Sequence, residues 1–544
     1  MKKLLRVTAL LLAIIMIVST LSSCSGLPSI NLSDLITLST GEVQSSSVVV
    51  EGTGVGVTDR DTASPDETET EVEIEIETDI ETETVIYVNG EEFTNGEEWT
   101  SEVIGGDTFA EETPVIIPES YPWWGAEYIV LSGFEYDVDG EYSPNYEISS
   151  AICKRNERMM RQYGLNVFGD FTDDVYFVAR QRILAGDTNF DLVVADATDM
   201  LKLTVEGHLA DINSLDYVDL DQSCWDENAN SHLSLGDRLY YTTNKFLLYE
   251  KMHTNVLWYN RELAEELRVG DIEQEVLDGT WTFERFLQVT REASGDMDGR
   301  PDMTVRDRWG HVTKNVNGLT PLLYGSDFLI TEKDENGLLG FAALDDKMLT
   351  AVNNLKSFYE ETNVSFVSST DVNNEEESRY ASEIFEDGRA LFFNNDLTYE
   401  RDILSFESGV IPMPKYSPDQ ESYASITTFA EARFLGVPVS VVDTEKASFG
   451  LQALSELSEN TSYSAFVSLI NIKNDRIVDV CLDEILNNRV WDILAIRGLG
   501  AVFSSVRKEI IGNNVEPFEF EYERRSENAK RQIDELNNGI GALN

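Results

Sequence analysis

The clearest pattern in the chain is an alternation of short apolar runs with longer amphipathic segments. Three apolar runs have the length of buried strands: residues 127–131, 165–168 and 191–194. Two segments between them have apolar positions at helical spacing and are each followed by glycine: residues 145–163 and 174–184. Strands that alternate with helices pair in parallel, so this region is predicted to form an α/β layer structure.

The alternation continues more loosely towards the C-terminus. Further strands are predicted at residues 255–259 and 389–393. Further helices are predicted after Thr282 and at residues 345–361, 444–459 and 475–488. This is too much periodic material for a single sheet, so the pattern predicts two α/β lobes.

The first residues of the chain have a different pattern, in which positive charge precedes a short apolar run. The positive charges come from Lys2, Lys3 and Arg6. The apolar run, residues 9–18, is followed by small residues and then Cys24. This segment resembles a bacterial lipoprotein signal, which implies that residues 1–23 are removed and that Cys24 carries the lipid anchor. We therefore expect an extracytoplasmic protein attached to the cell membrane. A signal-anchor helix is the alternative, but the run is short for a span of about 20 residues.

Residues 24–120 are rich in Ser, Thr, Gly and Glu and contain few large apolar residues. In residues 67–78, Glu alternates with Thr, Val or Ile at strand period. One face of such a strand would consist almost entirely of carboxylates, which repel one another. We therefore interpret 24–120 as an acidic, disordered tether and leave open a hairpin at residues 85–90, where Asn89-Gly90 favours a turn.

Charge and cysteine content exclude several classes of function. The 544-residue chain has a formal net charge of −58, which disfavours binding to nucleic acid. The cysteines after Cys24 are far apart and lack zinc-site spacing, so neither a disulfide framework nor a zinc site is predicted. They are Cys153, Cys224 and Cys481.

A series of short motifs follows in a fixed order after residue 121. Residues 207–212 read G-H-L-A-D-I, residues 256–263 read V-L-W-Y-N-R-E-L, and residues 279–286 read G-T-W-T-F-E-R-F. Residues 185–193, 388–392 and 410–416 complete the series. Taken together, these segments resemble the extracellular solute-binding proteins of ABC importers, in the sugar-type branch known as family 1.

The resemblance implies a two-lobe, type II periplasmic-binding-protein-like fold with hinge-linked lobes. The first lobe would comprise residues 121–250 plus 412–458, and the second 251–411 plus 459–544. Such a protein captures a small solute, here a mono- or oligosaccharide, in the interlobe cleft and delivers it to a membrane permease. We expect a monomer that binds its solute without a cofactor.

A sugar site needs aromatic platforms together with polar groups that satisfy hydroxyls. In parallel sheets, ligands bind beyond the carboxyl ends of the strands, which directs attention to the residues after each predicted strand and near the lobe crossings. The candidates are Phe134, Tyr136, Asp196, Thr198, Asp199, Tyr240, Tyr241, Asn395, Asp396 and Trp491. Core packing for the aromatic residues, and turn or capping roles for the Asp and Asn residues, remain alternatives.

Residues 295–302 resemble the family's acidic calcium loop. Its candidate ligands are Asp296, Asp298, Asp302 and Asp307. Arg300 occupies a position where an acidic ligand would be needed, and its positive charge opposes metal binding. We therefore interpret the loop as a structured turn without an ion.

Two other functional classes remain as alternatives to solute binding. A lipid-anchored glycoside hydrolase would need a pair of carboxylates, but such pairs are inevitable in a chain with 99 Asp and Glu residues. The serine-hydrolase, zinc-protease and P-loop motifs are absent from the sequence, so we predict that the protein is not an enzyme. An adhesive surface protein would suit the long tether but not the α/β series.

Overall fold

The computed structural model describes residues 76–78, 84–88, 91–94, 122–140, 145–300, 302–370, 374–399, 404–471 and 478–543. The chain divides into two compact units, residues 1–111 and residues 112–544. The predicted signal segment 1–23 and the lipidation residue Cys24 lie outside the described residues.

The N-terminal unit contains a three-stranded antiparallel sheet. Its strands are β1 (Ile76–Thr78), β2 (Thr84–Val88) and β3 (Glu91–Thr94), with β2 in the centre. Asn89 and Gly90 separate β2 from β3, as in the hairpin that the sequence left open. Strand β2, with its Val and Ile positions, pairs with the acidic strands on both sides. The interpretation of 24–120 as an acidic, disordered tether stays a prediction for the rest of that segment.

Eleven further strands lie in the described part of the larger unit. They are β4 (Glu127–Ser132), β5 (Asn166–Phe171), β6 (Leu192–Asp196), β7 (Asn255–Asn260), β8 (Trp309–Thr313), β9 (Thr331–Lys333), β10 (Leu339–Phe341), β11 (Ser365–Val367), β12 (Ala390–Asp396), β13 (Ser408–Ile411) and β14 (Arg433–Gly436).

The helices of this unit are α1 (Tyr146–Tyr163), α2 (Val175–Ala185), α3 (Ala197–Val205), α4 (Glu227–Leu233), α5 (Tyr249–Met252), α6 (Arg261–Leu267), α7 (Ile272–Leu277), α8 (Phe283–Ala293), α9 (Thr320–Gly325), α10 (Asp346–Glu360), α11 (Glu375–Glu386), α12 (Thr444–Ser458), α13 (Ser464–Asn471), α14 (Val478–Asn487), α15 (Ile493–Ile496), α16 (Val502–Ile510) and α17 (Phe518–Ala542).

The first sheet of the larger unit has the strand order β14-β6-β4-β5. Strand β4 pairs in parallel with both β5 and β6, as the alternation of strands and helices predicts, and β14 joins antiparallel at the edge. Helix α1 shows why the pattern holds: the Asn145 side chain caps its first turn, and Gly164 ends it with φ at +63°. The carboxyl ends of β4 and β6 meet at one edge of this sheet, beside the start of β14.

The second sheet has the strand order β11-β8-β12-β7-β13. Strands β11, β8 and β12 are parallel, whereas β7 runs antiparallel to both β12 and β13. The sequence placed Asn395 and Asp396 in the loop after a strand, and the structure corrects this. Both residues belong to β12, because β7 extends alongside and pairs with them through Val256 and Asn255.

The interior consists of two apolar clusters that together connect the two sheets. The smaller cluster joins Ile148 and Ile152 of α1 to Trp258 of β7, Phe393 of β12 and Ile485 of α14. Trp281, predicted to pack at a helix start, is fully buried, and its Nε1 donates to the Pro412 carbonyl at 3.1 Å. Among the described helices, none has the length and apolar character required to cross a bilayer.

The hairpin β9–β10 and helix α17 add contacts between the two sheet systems. The Gly236 amide, which precedes β7 in the chain, donates to the Gly337 carbonyl in the hairpin turn at 3.1 Å. In α17, the Asn537 side chain bonds both the amide and the carbonyl of Leu339, at 3.0 and 2.8 Å. The sequence pattern did not predict this hairpin or the long C-terminal helix.

Candidate functional site

A buried network of four charges lies where the chain crosses from the first sheet to the second. Glu250 accepts a hydrogen bond from Lys251 Nζ at 2.6 Å and also pairs with Arg489. Arg489 Nη2 bonds Asp226 Oδ2 at 2.5 Å. Burial alone would lower the pKa of Arg489, but the charges of Glu250 and Asp226 outweigh it and raise that pKa. The network fixes the late segment at Arg489 to the crossing segment at Glu250.

Next to this network, three aromatic rings pack against one another within the apolar core, and we call this group the aromatic pocket: Tyr241, Phe434 and Trp491. The ring centroids of Tyr241 and Phe434 are 5.6 Å apart, and those of Phe434 and Trp491 are 5.1 Å apart. The Arg489 guanidinium lies 5.0 Å from the Trp491 ring. Tyr241 and Phe434 belong to segments of the first sheet system, whereas Trp491 follows α14, so the pocket joins parts of the chain that are far apart in sequence.

Polar atoms of the aromatic pocket lack hydrogen-bond partners among the described residues. These are the hydroxyl of Tyr241, Nε1 of Trp491 and Nε of the neighbouring Arg497. Burial raises the pKa of the Tyr241 hydroxyl, and the charge of Arg497 partly offsets this effect. A buried polar atom without a partner costs about 1–3 kcal/mol, so a ligand that bonds these atoms would recover free energy on binding.

A second group, which we call the arginine sandwich, lies at the carboxyl edge of the first sheet. The Arg433 guanidinium is 3.6 Å from the Phe134 ring centroid and 5.3 Å from that of Tyr249. Arg433 Nη2 and the Tyr249 hydroxyl both bond Glu431 Oε2 at 3.1 Å. Except for Arg433, these side chains are half-buried and reach solvent. The sandwich therefore offers aromatic surface and charged groups together.

Asp137 lies behind the arginine sandwich and is almost fully buried. Its Oδ1 accepts the amides of Leu248 and Tyr249 at 2.7 and 2.8 Å and so caps α5. Its Oδ2 and the Nε of Arg433 have no partner within the described part of the chain. Burial raises the pKa of Asp137 to about 6.

Two solved structures establish the architecture that these groups belong to. M. tuberculosis UspC matches with a TM-score of 0.51 at 12% identity, over 74% of this chain and 99% of UspC. A cyclo/maltodextrin-binding protein complexed with maltotetraose matches with a TM-score of 0.50 at 14% identity, over 75% of this chain and 96% of its own. The chain has the two-lobed fold of the solute-binding proteins. No protein-family model matches the sequence, and no curated protein matches it.

Strand β14 of the first sheet contributes to both groups, with Arg433 in the arginine sandwich and Phe434 in the aromatic pocket. Successive side chains of a strand point to opposite faces of the sheet, so the side chains of Arg433 and Phe434 in β14 lie on opposite faces. The aromatic residues that the sequence predicted for the site are therefore distributed between the arginine sandwich and the aromatic pocket. Phe134 lies in the arginine sandwich, and Tyr136 packs beside it against Tyr249 at 5.4 Å. Tyr241 and Trp491 lie together in the aromatic pocket.

The predicted acidic residues after β6 already have local partners. Asp196 Oδ1 accepts the Asp199 amide at 2.9 Å and so caps α3. Asp199 in turn accepts from Lys202 Nζ at 3.0 Å and from the Tyr176 amide at 3.3 Å. Thr198, between them, is half-buried in the first turn of α3. Their role in binding stays a prediction, alongside the capping role that the sequence left open.

The remaining predicted residues are dispersed. The Tyr240 hydroxyl accepts a hydrogen bond from Arg238 at 3.4 Å. Tyr240 and Tyr241 are consecutive in an extended segment, so their side chains point to opposite faces. Asp396 Oδ1 accepts the Thr398 amide at 3.1 Å. Asn395 is half-buried at the end of β12. None of these contacts connects the three residues to the aromatic pocket.

Sequence reasoning missed several residues of the two groups: Tyr249, Glu431, Arg433, Phe434 and Arg497. Three of them come from a single stretch, residues 431–434, which the sequence analysis assigned to no element. An available signal was the apolar run at residues 434–437, which has the length of a short strand.

The acidic loop brings three of its four candidate ligands together. Carboxylate oxygens of Asp296, Asp298 and Asp307 lie within 4.8 Å of one another, and Asp302 is not part of this group. Arg300 Nε is 3.3 Å from Asp298 Oδ2. Backbone amides bond both oxygens of Asp307, at 2.8 Å from Met297 and 2.6 Å from Thr304. The interpretation as a turn without an ion stays a prediction.

A polar groove has a volume of about 390 Å³. It is lined by residues of the segment 213–239 and does not include any of the sequence-predicted site residues.

Proposed function

We propose that this protein is the solute-binding component of an ABC importer and that it captures a mono- or oligosaccharide reversibly between its lobes. The proposal includes the predicted lobe boundaries, 121–250 plus 412–458 and 251–411 plus 459–544. It also includes delivery of the unaltered solute to the transmembrane subunits of a permease. The solved structure of similar fold that was complexed with maltotetraose supports a saccharide as the solute.

The observation that carries the proposal is the aromatic pocket. It combines aromatic faces, which suit the apolar faces of sugar rings, with polar atoms that lack partners, which suit sugar oxygens. Phe434 belongs to the first sheet, whereas Trp491 and Arg497 lie in residues 459–544, which the proposed boundaries assign to the second lobe. A solute bound there would contact both lobes and would favour the closed form.

The pocket permits a sharp test with conservative variants. Tyr241→Phe removes only a hydroxyl that has no partner among the described residues, so the Tm of the free protein should stay within about 1 °C or rise. Trp491→Phe removes the unpartnered Nε1 together with part of a buried indole ring, so its Tm should fall because a cavity is left. Affinity for the saccharide should fall about 5- to 10-fold in each variant, which corresponds to the loss of about one hydrogen bond. Isothermal titration of the full-length chain with a saccharide panel measures this change.

Tyr128→Phe is the matched control. The Tyr128 hydroxyl is also buried, but it bonds the Ala447 carbonyl at 3.0 Å, far along the chain from the pocket. This variant should lower the Tm and leave saccharide affinity unchanged. Unchanged affinity in Tyr241→Phe and Trp491→Phe would contradict the placement of the solute in the aromatic pocket. Absence of binding across the panel would contradict the function itself.

We further propose that the mature protein is held at the extracytoplasmic face of the membrane by acyl chains on Cys24. The n-region, the apolar run and the small residues before Cys24 support this anchor. Cys24→Ala should abolish lipid attachment, so that fractionation finds the protein soluble or with its signal uncleaved. Membrane attachment of a correctly cleaved Cys24→Ala protein would contradict the anchor.

A further inference from the structure

The hairpin β9–β10 and helix α17 pack together, and we call this pair of elements the strap. The Asn537 side chain of α17 bonds both the amide and the carbonyl of Leu339 in the hairpin, at 3.0 and 2.8 Å. The Tyr522 hydroxyl of α17 donates to the carbonyl of Ala342, just after the hairpin, at 2.9 Å. The proposed boundaries assign both parts of the strap to the second lobe.

The C-terminal end of α17 contacts residues that the same boundaries assign to the first lobe. Arg238 Nη1 donates to the carbonyl of Leu543, the residue that follows α17, at 3.1 Å. Gly539 lies so close to the end of α3 that a Cβ at this position would overlap the side chain of Val205. The helix of one lobe is therefore packed directly on a helix of the other.

The hairpin contacts the first lobe as well. The Gly236 amide donates to the Gly337 carbonyl in the hairpin turn at 3.1 Å. Lys333 Nζ donates to the Ser231 carbonyl at 2.6 Å and to the Ser234 hydroxyl at 3.0 Å. Both elements of the strap thus form hydrogen bonds with the first lobe.

The contact between α17 and α3 lies at the amino edge of the first sheet. Helix α3 begins directly after the carboxyl end of β6 and ends at Val205. The residues that follow pair with the chain just beyond β14: the Ala210 amide donates to the Val437 carbonyl at 2.8 Å, and the His208 carbonyl accepts the Val439 amide at 3.0 Å. Because β14 is antiparallel to β6, it ends at the amino edge. Ligands of such sheets bind at the opposite, carboxyl edge.

This position determines what closure of the lobes does to the strap. The crossing segment lies at the carboxyl edge, since the Tyr249 ring is 5.3 Å from the guanidinium of Arg433, the first residue of β14. Hinge closure is a rotation about such segments. A rotation that brings the second lobe towards the carboxyl edge of the first sheet moves the strap away from the amino edge.

We propose that the strap holds the lobes apart in the absence of solute and that closure breaks its contacts with the first lobe. This inference rests on the proposed function, since capture of a solute requires the closure that the strap opposes. When the binding-competent form is a minor population, the observed affinity is reduced by its fraction. Loss of one net hydrogen bond from the strap should therefore raise solute affinity about 5-fold.

Two glycines of α17 provide a matched pair of variants for the test. In Gly539→Ala the new Cβ overlaps the Val205 side chain, so α17 has to move away from α3. In Gly541→Ala the new Cβ meets no atom within 4 Å, so the strap stays in place. Both variants make the same change in helix propensity. Arg238→Gln removes the bond to Leu543 without a clash and serves as a second strap variant.

The first measurement needs no solute. Spin labels are introduced through Asp173→Cys and Lys314→Cys, at exposed positions that follow β5 and β8 at the carboxyl edges of the two sheets. Cys24 and the exposed Cys153 are replaced by Ser, and pulsed EPR measures the distance between the labels in the full-length chain. The population at shorter distance should increase in Gly539→Ala and Arg238→Gln and should stay unchanged in Gly541→Ala.

The second measurement is isothermal titration of the full-length variants with maltotetraose. Gly539→Ala and Arg238→Gln should bind it about 5-fold more tightly than the wild type, whereas Gly541→Ala should bind it equally. An unchanged or longer label distance in both strap variants, or weaker binding by both, would overturn the inference and leave the proposed function standing. A shorter distance in a protein that binds no saccharide would support the strap and count against the proposed function.

Discussion

Replacement of Arg489 should test how far the buried charge network stabilises the joined lobes. Arg489→Met leaves Glu250 buried without one of its two cationic partners and Asp226 without its ion pair. Arg489 and Glu250 are 1% and 0% exposed, so solvent cannot compensate for the lost charge. Removal of one member of a buried ion pair costs about 3–5 kcal/mol.

The fall in Tm that corresponds to this loss of stability depends on the size of the larger unit, which sets its unfolding entropy. Residues 112–544 have an unfolding entropy of about 0.9 kcal/mol/K, so the Tm should fall by about 3–6 °C. Calorimetry of the full-length chain at neutral pH measures the change.

Arg161→Met provides the control. Arg161 and Glu157 form an ion pair whose side chains are 73% and 64% exposed, and exposed pairs contribute little. The Tm of this variant should stay within about 1 °C of the wild type. A fall of less than 1 °C in Arg489→Met would refute the reasoning.

Three further predictions concern stability. Phe434→Ala should lower the free energy of unfolding by about 3–5 kcal/mol, because the Phe434 ring is fully buried between the rings of Tyr241 and Trp491. Denaturant titration measures this change, and a loss below about 1 kcal/mol would contradict the packing. Burial raises the pKa of the Asp137 carboxyl to about 6, so between about pH 4 and 6 the folded state keeps a proton that the unfolded chain loses. The wild type should therefore lose up to about 3 kcal/mol of stability relative to Asp137→Asn as the pH rises from about 4 to 7. A stability difference that does not depend on pH would contradict this prediction. Gly337→Ala should lower the Tm and speed amide exchange in the hairpin, because Gly337 has φ at +72° and a Cβ there would lie 2.8 Å from the Gly236 backbone. Unchanged amide exchange at residues 236 and 337 would contradict the contact between them.

The sequence predicted the regular elements well where hydrophobic periodicity was strong. The predicted helix 145–163 corresponds to α1, and the predicted strand 127–131 corresponds to β4. Periodicity failed for short strands such as β11 and β14, because three or four residues do not establish a period. It also failed to mark the end of β12, since Asn395 and Asp396 look like loop residues and are held in the strand by pairing with β7.

The candidate site was less predictable because it depends on contacts between distant parts of the chain. Trp491 and Tyr241 were singled out individually, but the ring that connects them, Phe434, is an ordinary apolar residue in the sequence. Arg433 and Arg497 carry the same side chain. Only the structure shows that Glu431 neutralises the first, while the second has no counter-ion among the described residues.

Equilibrium dialysis measures whether the protein captures a saccharide reversibly and leaves it chemically unaltered. The full-length chain is dialysed against an isotope-labelled saccharide from the titration panel, and the recovered saccharide is analysed by mass spectrometry. We predict saturable binding of one saccharide per chain, with the saccharide recovered at its original mass and with reduced binding in Trp491→Phe. Shortened or hydrolysed saccharide would indicate a glycoside hydrolase, and the absence of saturable binding would contradict a solute-binding function.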